Sequence, residues 1–262
     1  MQNQSRKKQK SKNQKKKKKL PSSVTCFMWV FAIFLLLPVK TSGALSVWLG
    51  EDVAITDRWT IGDGSKENPY QIETAAQLAY LAWDIDETGN SYAGEHFLLI
   101  SNLDLDHREW LPIGTNANQQ SKKFRGHFDG GYHTISNLRI SGNSDYIGLF
   151  GYVEDGTIAN LAVFGNVSGG YMVGGVVGKC DNTKVKDCSF AGDITAGYTG
   201  FAGGVVAGIV INKAEITVSN LNFNGNIFFH KDNDEQAGYV GRAVGYVYRV
   251  EYELWENHKS GS

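Results

Sequence analysis

The sequence predicts an all-β fold, a parallel β-helix or solenoid of glycine-rich coils with a short N-terminal capping helix. Two recurring phrases predict it. The first contains glycine and occurs four times, as Gly148-Leu-Phe-Gly151, Gly175-Val-Val-Gly178, Gly204-Val-Val-Ala207 and, degraded, Arg242-Ala-Val-Gly245. The second begins at Ile158, Val185 and Val218, and both phrases advance by 27 residues from their first copy to their second. A fixed period of this length is typical of repeat architectures.

Apolar and polar residues alternate inside each copy, which is the spacing of a β-strand. A unit this short cannot enclose a core, so the copies must stack, with equivalent side chains about 4.8 Å apart. Stacking in the simplest form, a right-handed β-helix, predicts two inward ladders: Leu161, Cys188 and Leu221, and beside them Val163, Phe190 and Phe223.

Glycine doublets mark the predicted corners of the coil, at Gly174-Gly175 and Gly203-Gly204. A tight corner needs a positive φ or a close approach of two backbone segments, and glycine allows both. The alternative is a phosphate-binding loop, but no helical pattern and no Gly-Lys-Ser/Thr follows any copy. The doublets therefore favour a structural role.

Residues 1–44 have the order of a basic leader and secretory signal peptide. Ten basic residues and no acidic one lie in the first nineteen, and an apolar run of sixteen residues follows from Val24 to Val39. Small residues at Ser42 and Ala44 predict cleavage before Leu45 and a secreted or cell-surface chain. The apolar run is shorter than the ~20 residues that cross a bilayer. An uncleaved signal anchor stays open, as the only expected membrane contact.

Removal of the leader changes the charge of the chain. The leader carries 11 of the 26 basic residues, so the remainder has 15 basic and 27 acidic residues, a formal charge of −12. A surface of this sign repels nucleic acid and anionic membranes, and neither is an expected partner. Residues 45–57 read as a linker that precedes one elongated domain.

Residues 58–145 are predicted to hold the N-terminal cap and the first coils. Residues 58–72 read as a strand, a Gly-Asp-Gly turn and a proline-containing segment. A helix follows, in which Thr74 and Gln77 form a capping box. Its apolar face consists of Leu78, Leu81, Ala82 and Ile85. A helix at this position would cover the open end of the solenoid, where unpaired edges and apolar core need protection.

The glycine phrases of residues 146–250 resemble the GLUG repeat of bacterial surface and secreted proteins. Upstream stretches resemble the lead-in of the same proteins, among them Leu103-Asp-Leu-Asp106, Trp110-Leu-Pro-Ile-Gly114 and Phe128-Asp-Gly130. The resemblance implies a β-helical extracellular module, found in adhesin-like proteins and ahead of the catalytic part of some immunoglobulin A protease-like metallopeptidases. The resemblance does not imply a catalytic reaction for this chain. Residues 251–262 read as a charged edge strand and tail.

Three aspartates are candidates for calcium binding or catalysis: Asp104, Asp106 and Asp129. Asp104 and Asp106 alternate with leucines, which predicts both carboxylates on one strand face about 7 Å apart. The alternative is a solvated face beside a turn. His127 and His133 flank Asp129 and can build a metal site or an acid–base group, and the same stretch reads equally as a strand end entering a turn. No His-Glu-x-x-His and no Gly-x-Ser-x-Gly occurs, so we expect no catalytic residue, no metal site and no cofactor.

Tyrosines and cysteines supply the remaining candidates. Tyr146, Tyr171 and Tyr198 each open a glycine phrase, so stacked coils would align them in a ladder along one edge. Tyrosine rings at such an edge can stack on sugars or pack on the neighbouring coil, and both readings stay open. Cys180 and Cys188 align with apolar positions of other copies, which leaves burial in the core and a disulfide as alternatives.

The sequence as a whole favours an exported, non-enzymatic β-solenoid that recognises carbohydrate or an extracellular protein at the cell surface. The second hypothesis is a polysaccharide-active enzyme of lyase or glycosidase type that uses the three aspartates. The third is a purely structural spacer. Catalysis would require carboxylates about 5 to 9 Å apart around a groove, and a binding module would not.

Overall fold

The computed structural model describes residues 57–115, 122–197, 200–212, 217–229 and 238–249. All of them belong to the compact unit Leu45–Ser262. The leader, Tyr198 and the predicted edge strand at residues 251–262 lie outside the described residues, so the expectations for them stay predictions.

One α-helix and eighteen β-strands form within the described residues. The helix is α1 (Ala75–Thr88). The strands are β1 (Tyr70–Ile72), β2 (His96–Leu99), β3 (Leu103–Asp104), β4 (His127–Asp129), β5 (Thr134–Ile140), β6 (Tyr146–Ile147), β7 (Phe150–Glu154), β8 (Thr157–Ser168), β9 (Met172–Gly174), β10 (Val177–Asp181), β11 (Lys184–Ala191), β12 (Ile194–Ala196), β13 (Phe201–Gly203), β14 (Val206–Ile211), β15 (Val218–Asn224), β16 (Ile227–Phe229), β17 (Tyr239–Gly241) and β18 (Val244–Arg249).

The strands pair in parallel and form three sheets. The ten-stranded sheet runs β1-β2-β4-β8-β11-β15, with β5 and β12 also paired to β8, β3 to β5, and β16 to β12. The two four-stranded sheets run β6-β9-β13-β17 and β7-β10-β14-β18. Neighbouring strands come from successive coils, so the chain winds into a β-solenoid of about five turns. The predicted all-β parallel solenoid is confirmed, and its right hand stays a prediction.

The interior of the solenoid is built from columns of equivalent side chains. Both predicted ladders are present in the strand register, as Leu161–Cys188–Leu221 and Val163–Phe190–Phe223. The rings of Phe190 and Phe223 stack at a centroid distance of 6.3 Å. Apolar burial of this kind is the main favourable contribution to folding, because stacking removes the apolar surface of each side chain from contact with water.

The glycine doublets occupy corners because another side chain lies against them. A β-carbon added to Gly175 would stand 2.1 Å from the ring of Phe190, and one added to Gly204 would stand 2.2 Å from Phe223. Neither glycine has a positive φ. Glycine is therefore required at these corners by the close approach of another side chain and not by a positive φ.

The left-handed backbone positions belong to asparagine and aspartate. Asn160, Asp187 and Asn220 lie at the bends of β8, β11 and β15, with φ of 55°, 53° and 53°. These residue types tolerate this conformation better than other non-glycine residues. The left-handed residue recurs at the equivalent position of these three strands, so the chain changes direction at the same place in each of these coils.

Helix α1 has the start and the buried face that the sequence predicts. The Thr74 hydroxyl accepts a hydrogen bond from the Gln77 amide, and the Gln77 side chain accepts one from the Thr74 amide. The helix ends at Gly89, whose φ is 73°. Leu78, Leu81, Ala82 and Ile85 are all buried in the hydrophobic core.

The strand predicted at the start of residues 58–72 is wrong, since only Tyr70–Ile72 forms a strand. Trp59 instead enters a buried aromatic cluster at the N-terminal end of the solenoid. Its ring centroid lies 5.1 Å from that of Phe97 and 5.6 Å from those of Tyr80 and Tyr92. Edge-to-face packing of large rings replaces strand pairing in this segment.

The described part of the last coil is more exposed than the coils before it. Val240 continues the column of Ala202 and Val173, and Val247 continues that of Ile209 and Cys180. The earlier members of both columns are buried, whereas Val240 is 58% exposed and Val247 is 53% exposed. Burial therefore declines towards the C-terminal end of the solenoid.

Candidate functional site

The predicted tyrosine ladder is wrong in its register. Tyr146 lies opposite Met172, so Tyr171 falls one residue earlier than the position that would stack on Tyr146. The cause is one extra residue in the second copy, since Tyr171 lies three residues before the first glycine, Gly174, whereas Tyr146 lies two residues before Gly148. Strands β6 and β9 are offset by 26 residues and β7 and β10 by 27, because the second copy also has two glycines where the first has only Gly148. Tyr198 lies outside the described residues.

The register instead brings two other columns together where the two four-stranded sheets meet. We call this surface the aromatic corner. Its first column comes from β6, β9, β13 and β17, and its second from β7, β10, β14 and β18. The members are Tyr146, Met172, Phe201 and Tyr239 in the first column, and Tyr152, Lys179, Gly208 and Tyr246 in the second.

The N-terminal half of the aromatic corner is closed by its own contacts. The rings of Tyr146 and Tyr152 meet edge to face at 5.5 Å. The ammonium of Lys179 lies 5.1 Å from the centroid of the Tyr146 ring and 4.4 Å from that of Tyr152. Tyr152 also donates a 3.4 Å hydrogen bond to Asp181. A cation over two aromatic faces is attracted by both, which fixes these side chains together.

Burial controls the titration of this half. It raises the pKa of the Tyr152 hydroxyl, and the carboxylates of Asp181 and Glu154 raise it further. Burial also lowers the pKa of Lys179, although Asp181 opposes this change. The lysine nevertheless stays in cation–π contact, and the tyrosine stays a neutral hydrogen-bond donor at neutral pH.

The C-terminal half of the aromatic corner is open. The rings of Phe201 and Tyr239 stack at 5.4 Å with an interplanar angle of 13°, and Tyr246 lies 4.6 Å from Phe201. Tyr239 is 58% exposed, compared with 5% for Tyr152 in the closed half. Gly208 has no side chain to fill the second column between Lys179 and Tyr246. The Met172 side chain of the first column lies over Gly208 instead, so the exposed surface of this half is mainly the ring of Tyr239 beside the half-buried rings of Phe201 and Tyr246.

Tyr171 adds one further ring at this edge. It is 40% exposed, and its ring meets that of Phe201 edge to face at 5.0 Å. Two tyrosines near this surface are predicted from the sequence, whereas Phe201, Tyr239 and Tyr246 are not. Phe201 and Tyr239 could have been found from the sequence, because each lies two residues before a glycine, in Phe201-Ala-Gly203 and Tyr239-Val-Gly241.

The three aspartates do not form the predicted cluster on one strand face. Asp104 lies on β3, but Asp106 lies beyond the end of that strand in a left-handed turn with φ 55°. The amide of Asp106 instead donates a 2.8 Å hydrogen bond to the Asp104 carboxylate. The prediction that both side chains extend from one strand is therefore wrong.

Asp104 and Asp129 have matching partners that explain them structurally. Asp104 accepts hydrogen bonds from the Asp106 amide and the Asn137 side chain. Asp129 accepts them from the Gly131 amide and the Asn160 side chain, at 2.9 Å each. Each aspartate thus closes its own turn and binds an asparagine of the next coil. The pKa of Asp104 is lowered, first by the Asp106 amide and then by Asn137.

Cys180 and Cys188 are both free thiols in the structure and both are buried. Cys180 lies opposite Val153 and Ile209, within apolar columns. Burial raises the pKa of the Cys188 thiol to about 12, and it raises that of Cys180 as well. Neither thiol ionises appreciably at neutral pH, so the structure has them as core residues.

A second concave surface lies on the outer face of the ten-stranded sheet, and we call it the histidine cleft. Its volume is about 370 Å³. The rings of His96 and His127 lie 4.4 Å apart, and His127 Nδ1 is 3.2 Å from the Thr157 hydroxyl. The sequence predicts His127 and His133 as partners, but His133 Nδ1 lies 3.3 Å from Asn102 Oδ1. The repeated dipeptide His-Phe at residues 96 and 127 was the available signal.

Within the described residues, no group of three or more histidine, cysteine, aspartate or glutamate side chains is arranged to hold a metal ion. The same part of the chain contains no helix that combines the length and the apolar character needed to span a membrane.

The fold and these surfaces define the chain as a parallel β-solenoid with a GLUG repeat. Residues 169–195, which run from the end of β8 to β12, match the GLUG motif. The resemblance to GLUG-repeat proteins is thus confirmed for this copy.

Two relatives match longer segments. A provisionally named Gly-rich membrane protein of Evansella cellulosilytica is 37% identical over 143 residues, which are 48% of this chain and 15% of the relative. Halomucin of Haloquadratum walsbyi is 31% identical over 190 residues, 68% of this chain and 2% of the relative. The chain therefore corresponds to a small part of each of these proteins.

A crystal structure from Bacteroides ovatus, of a protein provisionally named an immunoglobulin A1 protease, also aligns with the fold. The alignment covers 73% of this chain and 77% of the other, at 16% identity and a TM-score of 0.42.

Proposed function

We propose that this chain is an exported, non-enzymatic recognition module that binds neutral carbohydrate at the cell surface through the open half of the aromatic corner. The observation that carries the proposal is the set of adjacent rings of Phe201, Tyr239 and Tyr246, in which Tyr239 is 58% exposed and the other two are half-buried. The apolar faces of sugar rings pack on aromatic side chains, and a rigid sheet holds those side chains in position without further ordering.

The geometry of the corner supports a sugar as the ligand. Phe201 and Tyr239 hold nearly parallel rings on neighbouring coils, and Tyr171, which is 40% exposed, lies edge to face against Phe201. The tyrosine hydroxyls can bond to the hydroxyl groups at the edge of a sugar. Such a surface extends along the solenoid axis, which suits an extended oligosaccharide.

The names of the two relatives support a location outside the cytoplasm. One is a membrane protein and the other a halomucin. The basic and apolar leader predicted for residues 1–44 agrees with export. Asp104 and Asp129 are both held by turn amides and asparagines, which favours a binding module over a carboxylate enzyme.

The test is a glycan-array screen of the purified full chain and of the double variant Tyr239→Ala/Tyr246→Ala. The matched control is Phe228→Ala, which removes a 50% exposed aromatic side chain from the ten-stranded sheet. We expect the wild type and the control to bind the same glycans, and the double variant to lose about tenfold or more in apparent affinity, since stacking on two rings is lost.

Circular dichroism of each variant checks that the solenoid is intact. Equal binding by the folded double variant would contradict the assignment of the site. If the wild type bound no neutral glycan on the array, this result would contradict carbohydrate recognition and favour a protein partner or a purely structural spacer.

A further inference from the structure

We propose that the histidine cleft is a second binding site, which takes the carboxylate of an acidic sugar such as a uronic acid. This site goes beyond the aromatic corner and does not depend on it, because the two surfaces share no residue. It also names a different ligand chemistry, a charged saccharide instead of a neutral one.

The cleft exists because a small side chain lies between larger ones on the outer face of the sheet. One outward column reads Leu98, Asp129, Ala159 and Lys186 on β2, β4, β8 and β11. Successive members are about 4.8 Å apart, so the methyl group of Ala159 leaves a hollow between its two neighbours. Ala159 is the floor of the cleft, and Asp129 and Lys186 are its walls.

The neighbouring outward column supplies nitrogen donors. It reads His96, His127, Thr157 and Lys184 along the same four strands. The cleft is lined by the first three of these residues and, from the segment before β1, by Lys66. Two lysines, Lys66 and Lys186, therefore reach the cleft together with two imidazoles.

Positive charge in the cleft is not balanced by ion pairs in the described part of the chain. The ion pairs there involve Lys122, Lys123, Arg125 and Arg139, and none involves Lys66 or Lys186. Asp129 is the one carboxylate in the lining, and its Oδ1 already accepts two hydrogen bonds, from Gly131 and Asn160. An anionic ligand would thus meet more cationic than anionic groups, although the chain without its leader carries a formal charge of −12.

A saccharide suits the cleft better than an acidic peptide. Peptides commonly bind sheets by adding a strand to an unpaired edge. Strands β2, β4, β8 and β11 are each paired on both sides, so their main-chain groups are already bonded. Only side chains remain for recognition, and Thr157 and Asn160 can bond to sugar hydroxyls beside the lysines.

His127 couples binding to pH. Burial lowers the pKa of His127, and His96 and Lys184 lower it further, so His127 is neutral above pH 7. A bound carboxylate favours the imidazolium and raises this pKa again. By linkage, a group that takes up a proton on binding makes the affinity increase as the pH falls. The other charged groups facing His127 are Lys66, Lys186 and Asp129.

The test is isothermal titration of the full chain with tetragalacturonate at pH 7.5 and pH 5.5. The same oligomer as its methyl ester serves as the neutral ligand. We expect binding of the acid only, with affinity at least about threefold higher at pH 5.5, because protonated His127 adds a favourable charge interaction. His127→Gln should remove most of this pH dependence.

Two variants separate charge from shape. Lys186→Met removes a cation from the wall and should weaken binding about tenfold. Ala159→Leu fills the hollow without a change of charge and should abolish binding. Arg242→Met removes one positive charge from the last coil and is the matched control, which should bind like the wild type.

Three results would overturn the proposal. They are binding of the methyl ester as tight as that of the acid, unchanged affinity in both folded cleft variants, and no binding by the wild type at either pH. Equal binding of oligoglutamate would overturn the assignment to a sugar. The aromatic-corner variant Tyr239→Ala/Tyr246→Ala should still bind tetragalacturonate, so failure of one site is distinguishable from failure of the other.

Discussion

At the scale of single residues, two positions explain why the coils keep one cross-section. Gly175 leaves space for the ring of Phe190, which lies inside the coil. Asn160 holds a left-handed bend with φ 55° and also donates a 2.9 Å hydrogen bond to Asp129 of the preceding coil. One residue allows a close approach, and the other sets the direction of the chain.

Replacement of Gly175 by alanine tests the close approach. We expect Gly175→Ala to lower the free energy of unfolding by about 1–3 kcal/mol, because its β-carbon would overlap the Phe190 ring. Urea denaturation followed by circular dichroism measures this loss. In a double-mutant cycle with Phe190→Leu, the smaller side chain should relieve part of the overlap, so the double variant should lose less stability than the sum of the single variants. Simple additivity would contradict the contact.

Substitution of Asn160 separates backbone conformation from hydrogen bonding. Both Asn160→Gly and Asn160→Ala lose the bond to Asp129, but only alanine is strained at φ 55°. We expect the alanine variant to be less stable than the glycine variant by roughly 1–2 kcal/mol. Thermal unfolding of the two proteins gives the comparison. Equal stability would show that the left-handed bend relaxes when the side chain is changed.

The residue scale also shows where sequence reasoning succeeds and where it fails. The inward positions of Cys180 and Cys188 follow from alignment with apolar residues, and they are confirmed. The alignment of Tyr146 with Tyr171 fails because two residues separate Tyr171 from Gly174 and only one separates Tyr146 from Gly148. A one-residue shift in strand register moves a side chain into the neighbouring column. The spacing of the glycine phrases does not show where in the coil such a shift occurs.

At the scale of elements, the capping helix was predictable and the segment before it was not. Local signals specify α1, because its capping box and its apolar face are both contained in residues 74–85. The Arg58–Ile61 stretch has strand-like composition, but a strand needs a partner, and Trp59 is buried among aromatic rings instead. β-propensity depends on context more strongly than helix propensity does.

The packing of α1 should be essential for the N-terminal end of the solenoid. Leu81 is fully buried in the core cluster, so Leu81→Ala should cost about 2–5 kcal/mol of stability. Glu87→Ala changes an exposed position of the same helix and is the control. Hydrogen exchange should show the larger loss of protection in β1 and β2. A loss confined to the C-terminal coils would contradict a capping role.

At the scale of the whole molecule, the solenoid assembles surfaces that no single copy contains. The offset between successive corner residues is 26, 29 and 38 residues from β6 to β17, because the connecting loops differ in length. Phe201 and Tyr239 nevertheless stack in one column. The class of fold was therefore predictable from the period, whereas the aromatic corner required the strand register.

The first and last described coils of the solenoid differ in burial. The N-terminal end is closed by α1 and a buried aromatic cluster, while Val240 and Val247 in the last described coil are more than half exposed. The aromatic corner opens in the same direction, from the buried Tyr152 to the exposed Tyr239. The recognition surface that we propose thus lies on the described coils whose equivalent side chains are most exposed.

The most direct test of carbohydrate recognition is an NMR titration of the full chain with its best neutral oligosaccharide from the array. Aromatic ¹H–¹³C resonances report each ring separately. The account predicts saturable shifts of Phe201, Tyr239 and Tyr246, with no shift of Phe228 on the ten-stranded sheet. Saturable binding that leaves the three corner rings unshifted would contradict it.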